Sequence, residues 1–245
     1  MYFCLLRYRL NLCYRGTAYN GWQRQINAIG VQQVIEEKIE ILFQNKVALT
    51  GCGRTDTGVH AKHFVAHFDS EKPLPDNFVF RLNGLLPRDI AVFDSAQTAD
   101  SFHARFDAKS REYKYYIHFK KNPFLEGISW FRYGVLDFGM MNRAADMLIG
   151  QKEFICFCKG EAPNNNYVCD VTFAQWEFDE NGAVFTIRAN RFLRNMVRAI
   201  VGSLIEVGNG KLSVTEFEGI LQNGTRSDAG ESVPAKGLVL EEVVY

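Results

Sequence analysis

Alternation of apolar and polar residues near the start of the chain predicts a strand. In residues 8–14, "YRLNLCY", every second position is apolar, and the run ends just before Gly16. Apolar residues then recur at helical spacing from Val31 to Leu42, which predicts an amphipathic helix. The sequence "HFVAHFD" at residues 63–69 alternates again and predicts a second long strand.

Three further elements complete the first half of the chain. They are a short strand at residues 47–51, a helix at about 76–86 and a strand at 90–96. The resulting order, β-α-β-β-α-β, is the split βαβ or ferredoxin-like arrangement.

The second half repeats that order without obvious sequence identity. Its predicted elements are a strand at 111–119, a helix at 140–150, a hairpin over 171–189, a long helix at 192–208, an inserted helix at 213–222 and a last strand at 237–245. We therefore predict an α+β fold of two ferredoxin-like domains, residues 1–105 and 106–245, related by pseudo-twofold symmetry. We expect their sheets to be continuous and their helices to pack on one face.

The composition fits a globular protein with a large apolar core. The chain has 245 residues, of which 47% are hydrophobic and 23% are charged. No run approaches the ~18 to 20 apolar residues of a membrane helix, and the start "MYFCLLRYRL" is too interrupted by arginine for a signal peptide. We expect a cytoplasmic protein with no membrane segment, whose six cysteines are reduced.

The formal net charge is zero, since 28 basic residues balance 28 acidic ones, so only local clusters can indicate a polyanionic partner. A first basic zone, residues 103–121, has two acids and six cations: Arg105, Lys109, Arg111, Lys114, Lys120 and Lys121. A second zone, residues 188–198, has no acid and four arginines: Arg188, Arg191, Arg194 and Arg198. These zones make RNA binding a candidate function.

The loop "GCGRTDTGVHA", residues 51–61, places one carboxylate, Asp56, among glycines and threonines. In a ferredoxin-like unit the connection between the second and third strands lies at a sheet end, where a loop can reach a bound partner. An ordinary turn, in which Asp56 caps the loop or pairs with Arg54, is the simpler interpretation of this motif alone.

The second basic zone offers Asp56 another partner. Arg191, Arg194, Asn195 and Arg198 share one stripe of the predicted helix, beside its apolar face. A solvated face is the usual explanation of such a stripe. Because the stripe contains no acid and borders the core, at least one of these arginines is expected to be half-buried and to need a carboxylate, for which Asp56 is a candidate.

Three tyrosines interleave with Arg111 and Lys114 in the strand "REYKYYIHF": Tyr113, Tyr115 and Tyr116. Such a pattern can combine base stacking with phosphate binding, although aromatic strand residues more often pack in a core.

No metal or cofactor motif is recognisable in the sequence. Two groups are close in sequence but match no metal-site pattern: His60, His63 and His67, and Cys156, Cys158 and Cys169. The chain also lacks a Walker loop, a G-x-G-x-x-G motif and the zinc-deaminase signature. We therefore expect no metal, no cofactor and no nucleotide cofactor.

Five sequence blocks together resemble the tRNA pseudouridine synthase A family. They are "YNGWQRQ", "GRTDTGVHA", "SFHARFDAKSREYKYYI", "RNMVRAIVGSL" and "AKGLVLEEV", in the same order through nearly the whole chain. The resemblance implies two ferredoxin-like domains, a homodimer and a cofactor-free enzyme. It also implies conversion of uridine to pseudouridine in the anticodon stem-loop, at tRNA positions 38 to 40, with the base flipped out.

The resemblance assigns roles to single residues. It makes Asp56 the catalytic carboxylate, Tyr113 the ring that stacks on the target base, and Arg198 the ion-pair partner of the aspartate. Arg54 would help to present the flipped nucleotide. Further RNA contacts are expected from five basic residues: Arg24, Arg111, Lys114, Arg191 and Arg194.

Several questions stay open at this point. A carboxylate could attack the base covalently at C6 or remove a ribose proton and pass through a glycal, and the sequence does not separate these routes. A non-catalytic RNA-binding or RNA-chaperone protein on the same fold would bind tRNA without isomerising it. A small-molecule-binding α+β dimer would have no measurable affinity for tRNA.

Overall fold

The computed structural model describes residues 5–245. Within them the chain forms five α-helices and ten strands that pair mostly antiparallel, so the predicted α+β class is confirmed. The residues group into two compact units. The N-terminal unit comprises the residues up to Lys109 together with Leu240–Tyr245, and the C-terminal unit is Ser110–Val239. The predicted domain boundary at residue 105 and the pseudo-twofold symmetry stay predictions.

The N-terminal unit follows the predicted order of elements. These are β1 (Leu6–Tyr14), α1 (Val31–Phe43), β2 (Thr50–Gly51), β3 (His60–Ser70), α2 (Phe78–Leu85) and β4 (Ile90–Gln97). β1 lies between β4 and β3 and is antiparallel to both, and β2 pairs with β3. The alternating apolar side chains of β1 and β3 are buried, including Leu10, Leu12, Phe64 and Phe68.

β2 is shorter than the predicted strand at residues 47–51. Two side chains of α1 form hydrogen bonds with the backbone of Leu49. The N–H of Leu49 donates to a Glu36 carboxylate oxygen at 2.9 Å, and the carbonyl of Leu49 accepts from the Gln32 side chain at 2.9 Å. Leu49 therefore pairs with a helix rather than with a neighbouring strand.

The C-terminal unit contains two short strands that the sequence pattern did not predict. Its elements are β5 (Ser110–His118), β6 (Trp130–Phe131), α3 (Phe138–Asp146), β7 (Gly150–Glu153), β8 (Val168–Phe178), β9 (Gly182–Ala189), α4 (Met196–Gly208), α5 (Val214–Asn223) and β10 (Leu238–Val244), whose residues from Leu240 onward belong to the N-terminal unit. The strand order is β5-β9-β8-β7, and β6 pairs with β5. The unpredicted strands are β6 and β7, which are too short to show a period.

The prediction that a helix begins at residue 192 was wrong, because α4 begins at Met196. Asn195 has a left-handed backbone with φ +64°, a conformation that an α-helix cannot continue through. Arg191, Arg194 and Asn195 therefore precede the helix, and they do not form a helical stripe with Arg198. The apolar face of α4 was predicted correctly, since Met196, Ile200 and Leu204 are fully buried.

In the part of the chain that the structure describes, no helix combines the length and the apolar character that crossing a membrane requires.

Candidate active site

The loop that carries Asp56 connects β2 to β3 and is fixed through Thr55. The side chain of Thr55 is buried, and its hydroxyl lies 2.8 Å from the hydroxyl of Tyr14 on β1. Its carbonyl accepts a hydrogen bond from the backbone N–H of Trp22 at 3.3 Å. The ring of Trp22 is buried and stacks on Phe64 of β3, with 4.0 Å between ring centroids. The residue before Asp56 is therefore held from both sides.

Gly21 allows the chain to pass against this loop. Its φ is +78°, and a Cβ atom there would lie 2.2 Å from the carbonyl oxygen of Thr55, which no side chain could tolerate. Two residues before Gly21 in the same segment, Tyr19 donates its hydroxyl to Asp89 at 2.6 Å. Burial and this hydrogen bond raise the pKa of Tyr19. The carbonyl of Tyr19 accepts from the N–H of Gly58 at 3.3 Å.

Asp56 itself is half-buried, and its carbonyl accepts from the N–H of Val59 at 3.1 Å, which closes the turn. Arg54 is exposed. The loop thus carries a half-buried Asp56 two residues after an exposed Arg54, on a backbone that its neighbours hold in place. Such a loop can present an acid or a nucleophile without reorganising.

Tyr113 and Tyr115 share one face of β5 and differ in burial. Tyr115 is fully buried, its hydroxyl donates to the carbonyl of Pro234 at 2.8 Å, and burial raises its pKa. Tyr113 is half-buried and its ring meets Phe192 edge to face, with centroids 5.2 Å apart. Tyr115 is therefore a core residue, whereas Tyr113 has a ring that is only partly covered.

Arg198 lies in the first turn of α4 and is half-buried. Its Nε donates to the carbonyl of Val233 at 2.8 Å, which fixes the orientation of the guanidinium plane. Arg194 is exposed and Arg191 is half-buried, both in the segment before the helix. The arginines predicted as one stripe therefore lie in two environments.

The other predicted RNA contacts have partners within their own units. Arg111 donates to the carbonyl of Asn190 at 2.7 Å, and Lys114 is half-buried opposite Thr186. Arg24 lies 2.9 Å from a carboxylate oxygen of Glu36 and 3.7 Å from one of Glu37. The carboxylate of Glu36 is buried and needs this charge, so a structural role already accounts for Arg24.

The predicted site residues are divided between the two units. Asp56, Arg54 and Arg24 belong to the N-terminal unit. The C-terminal unit carries the remaining six: Tyr113, Arg198, Arg111, Lys114, Arg191 and Arg194. The ion pair between Asp56 and Arg198 stays a prediction. Tyr14, Gly21 and Trp22 support the Asp56 loop and were not predicted, although the block "YNGWQRQ" contains two of them.

The histidines once considered as metal ligands accept backbone hydrogen bonds instead. Nδ1 of His60 accepts from Gly16 at 2.9 Å, and Nδ1 of His67 accepts from Ala104 at 3.2 Å. Burial raises the pKa of Cys156 and of Cys169 to about 11, the opposite of what a thiolate ligand requires. Over residues 5–245 we find no group of three or more His, Cys, Asp or Glu side chains arranged to hold a metal ion.

Comparison with known proteins gives the class of the molecule. A family model described as tRNA pseudouridine synthase matches residues 144–245. The tRNA pseudouridine synthase A of Porphyromonas gingivalis is 47% identical over 98% of both chains. The enzymes of the same name from Parabacteroides distasonis and Bacteroides fragilis are 46% and 45% identical, each over 98% of this chain and 96% of its own.

These similarities identify an isomerase that makes pseudouridine in tRNA. The chain belongs to the tRNA pseudouridine synthase A family. The two non-catalytic alternatives are thereby set aside.

Proposed function

We propose that the enzyme isomerises uridines of the anticodon stem-loop and that Asp56 is the catalytic carboxylate. The observation that carries this assignment is the construction of the loop. Thr55 is buried and bonded to Tyr14 and Trp22, while the next residue, Asp56, is left partly exposed. A carboxylate on a backbone held this firmly is pre-organised for chemistry.

The reaction needs a group that acts without redox chemistry. The C1′–N1 bond breaks, the base turns while it stays bound, C1′ bonds to C5, and the proton displaced from C5 leaves. A carboxylate can assist by adding to C6 of the base or by removing a ribose proton. Both routes require ionised Asp56. Neither route oxidises or reduces a residue of the chain.

Arg198 is proposed as the ion-pair partner of Asp56. An adjacent guanidinium favours the charged form of a carboxyl group. Because Nε of Arg198 is committed to the Val233 carbonyl, its remaining N–H groups have a defined direction. A merely solvated arginine would not need such a bond.

Tyr113 is proposed to stack on the flipped base. A base within a helix is unreachable, and extruding it costs roughly a few kcal/mol. Stacking on an aromatic side chain contributes about 1–3 kcal/mol, which is of the size needed to offset that cost. The partly covered ring of Tyr113 suits this role better than the buried ring of Tyr115.

The remaining basic residues are proposed to contact the tRNA backbone. These are Arg54, Arg111, Lys114, Arg191 and Arg194, with Arg24 contributing least because of its bonds to Glu36 and Glu37. Phosphate contacts carry no sequence information, so tRNA shape should dominate recognition. By resemblance to the family we also propose two ferredoxin-like domains with pseudo-twofold symmetry, a homodimer and a cytoplasmic location.

The test is to incubate purified protein with an unmodified tRNA transcript and to map pseudouridine by carbodiimide labelling and primer extension. We expect modification confined to the anticodon arm. Asp56→Asn should lose activity by about 10³-fold or more while it still binds tRNA. Turnover by Asp56→Asn near the wild-type rate would contradict the catalytic role of Asp56. Modification elsewhere in the tRNA would contradict the proposal that the anticodon arm is the substrate.

A second test separates the role of Arg198 from simple phosphate binding. Arg198→Ala should lower kcat much more than tRNA affinity. Replacing Lys120 and Lys121 by alanine should weaken binding and reduce the salt dependence of binding, with kcat retained. The opposite pattern would mean that Arg198 binds phosphate and does not partner Asp56.

A further inference from the structure

A ring stack reaches the surface of the N-terminal unit in the segment before β5. Phe106 is 73% exposed. The ring of His103 lies beneath it, with centroids 4.2 Å apart, and the guanidinium carbon of Arg105 lies 5.6 Å from the Phe106 centroid. We call Phe106, Arg105 and His103 the Phe106 platform. These residues lie within the block "SFHARFDAKSREYKYYI", but the proposed catalytic roles do not account for them.

The platform is held in shape by the side chain of its own histidine. Nδ1 of His103 accepts from the backbone N–H groups of Arg105 and Phe106, at 3.2 and 3.3 Å. The N–H of His103 donates to the carboxylate of Asp107 at 2.8 Å. The backbones of Arg105 and Phe106 are thus both bonded to the His103 ring that Phe106 packs on, and the turn is fixed without belonging to a helix or strand.

Residues of the sheet support the platform from below. His103 packs edge to face on His67 of β3, with centroids 5.0 Å apart, and His67 accepts from the N–H of Ala104. Arg7 of β1 donates to the carbonyl of Phe102 at 2.9 Å. Two strands of the sheet therefore support the turn from below, and desolvation keeps His67 neutral by lowering its pKa to about 4.

This construction differs from that of an ordinary exposed phenylalanine. Single apolar side chains on a surface are common and need no explanation. A phenyl ring that is held by its neighbours, lies next to a cation and is 73% exposed has the features of a base-stacking site beside a phosphate contact. The substrate of this enzyme is an RNA, and the platform begins the first basic zone, residues 103–121.

We propose that the Phe106 platform stacks on an unpaired nucleobase of the tRNA, separate from the flipped uridine, and that Arg105 binds a neighbouring phosphate. Unpaired bases occur in tRNA loops, where their faces are accessible to aromatic side chains. The proposal rests on tRNA as the substrate but not on the catalytic assignment of Asp56.

The test compares tRNA binding by Phe106→Ala with binding by Phe80→Ala. Phe80, on α2, is 81% exposed in the same unit and serves as the matched control. We expect Phe106→Ala to raise Kd roughly 5- to 150-fold. Its kcat at saturating tRNA, its melting temperature and its salt dependence should stay close to wild type, and Phe106→Trp should restore affinity. Phe80→Ala should bind normally.

Arg105→Gln should instead reduce the salt slope of binding by about one. Transcripts that each lack one nucleobase then locate the base that stacks on Phe106. When that base is the missing one, the wild type and Phe106→Ala should bind the transcript with the same weakened affinity. Equal affinities of Phe106→Ala and Phe80→Ala, or the absence of such a transcript, would overturn the proposal. Repeating the binding measurements in the Asp56→Asn background keeps this result independent of catalysis.

Discussion

Two irregular segments position the proposed catalytic charges, and they are stabilised in different ways: the loop that carries Asp56, and residues 191–195, which lead into the first turn of α4 where Arg198 lies. The Asp56 loop is fixed by side-chain packing, since Thr55 bonds to Tyr14 and its carbonyl lies against the backbone of Gly21. The segment before α4 is fixed mainly by one left-handed residue, Asn195, whose amide donates to the hydroxyl of Ser232 at 2.5 Å.

The comparison shows why one segment was easier to predict than the other. A loop rich in glycine and threonine shows in its sequence that its backbone is special. A single asparagine within an apolar, helix-like pattern does not. Three predictions test how much each segment depends on these contacts, beginning with the largest expected effect, and a fourth concerns the pH dependence of stability.

Gly21→Ala should destabilise the protein by roughly 2 kcal/mol or more, because the new methyl group combines a positive φ with overlap of the Thr55 carbonyl. Urea unfolding measures the loss, and activity should fall with it. Gly53→Ala, in the Asp56 loop against which Gly21 packs, is the control, since a Cβ there meets nothing within 4 Å. Equal stabilities of the two variants would contradict the close packing described here.

Asn195→Ala should cost about 2 kcal/mol, because alanine is poor in the left-handed conformation and cannot bond to Ser232. Asn195→Gly keeps the backbone freedom and should lose only about 1 kcal/mol. Unfolding of both variants in urea measures the difference. If glycine were the more damaging substitution, the left-handed residue would not be what sets the start of α4.

Tyr14→Phe should cost about 1 kcal/mol and lower kcat several-fold with little change in KM, because the buried Thr55 hydroxyl loses its partner. Thr55→Val removes the other half of the bond. In a double-mutant cycle the two effects should not add, since both variants remove the same interaction. Simple additivity would show that the hydroxyls do not act together.

The last prediction concerns pH. Burial lowers the pKa of His67 to about 4 from an ordinary value of 6.5, with a further contribution from the charge of Arg7. The unfolded chain therefore binds more protons between these values, so stability should fall as pH drops from 6.5 towards 4 and be fully present above 6.5. His103, Asp69 and Asp107 also face this group. His67→Gln should flatten that part of the stability curve; an unchanged curve would contradict the assignment.

Much of the fold could be predicted from periodicity alone. The long strands β1, β3 and β5 alternate clearly, and α1 and α5 have regular apolar spacing, so their positions agree with the structure to within a few residues. The errors fall where side chains replace backbone partners or where an element is too short. β2 is shorter than predicted because side chains of α1 form hydrogen bonds with the backbone of Leu49. β6 and β7 have too few residues to show a periodic pattern.

The chemistry of the candidate site rests on the sequence and stays a prediction, whereas the residues that support the Asp56 loop became visible only in the folded chain. Asp56, Tyr113 and Arg198 stand out as reactive or charged residues in recognisable blocks. Tyr14 and Gly21 act through a hydroxyl contact and a backbone approach with Thr55, which depend on the folded chain. A tyrosine or a glycine in a sequence does not by itself indicate that it supports a neighbouring loop.

The last strand has a consequence for how the protein is made. Within the N-terminal unit, the N–H of Lys109 donates to the carbonyl of Val244 at 2.8 Å, and the hydroxyl of Tyr245 donates to the carbonyl of Ala104 at 2.5 Å. A ribosome that has synthesised the first 109 residues has therefore not yet supplied everything that this unit needs. The N-terminal unit can therefore reach its final form only after residues 240–245 have also been translated and have left the ribosome.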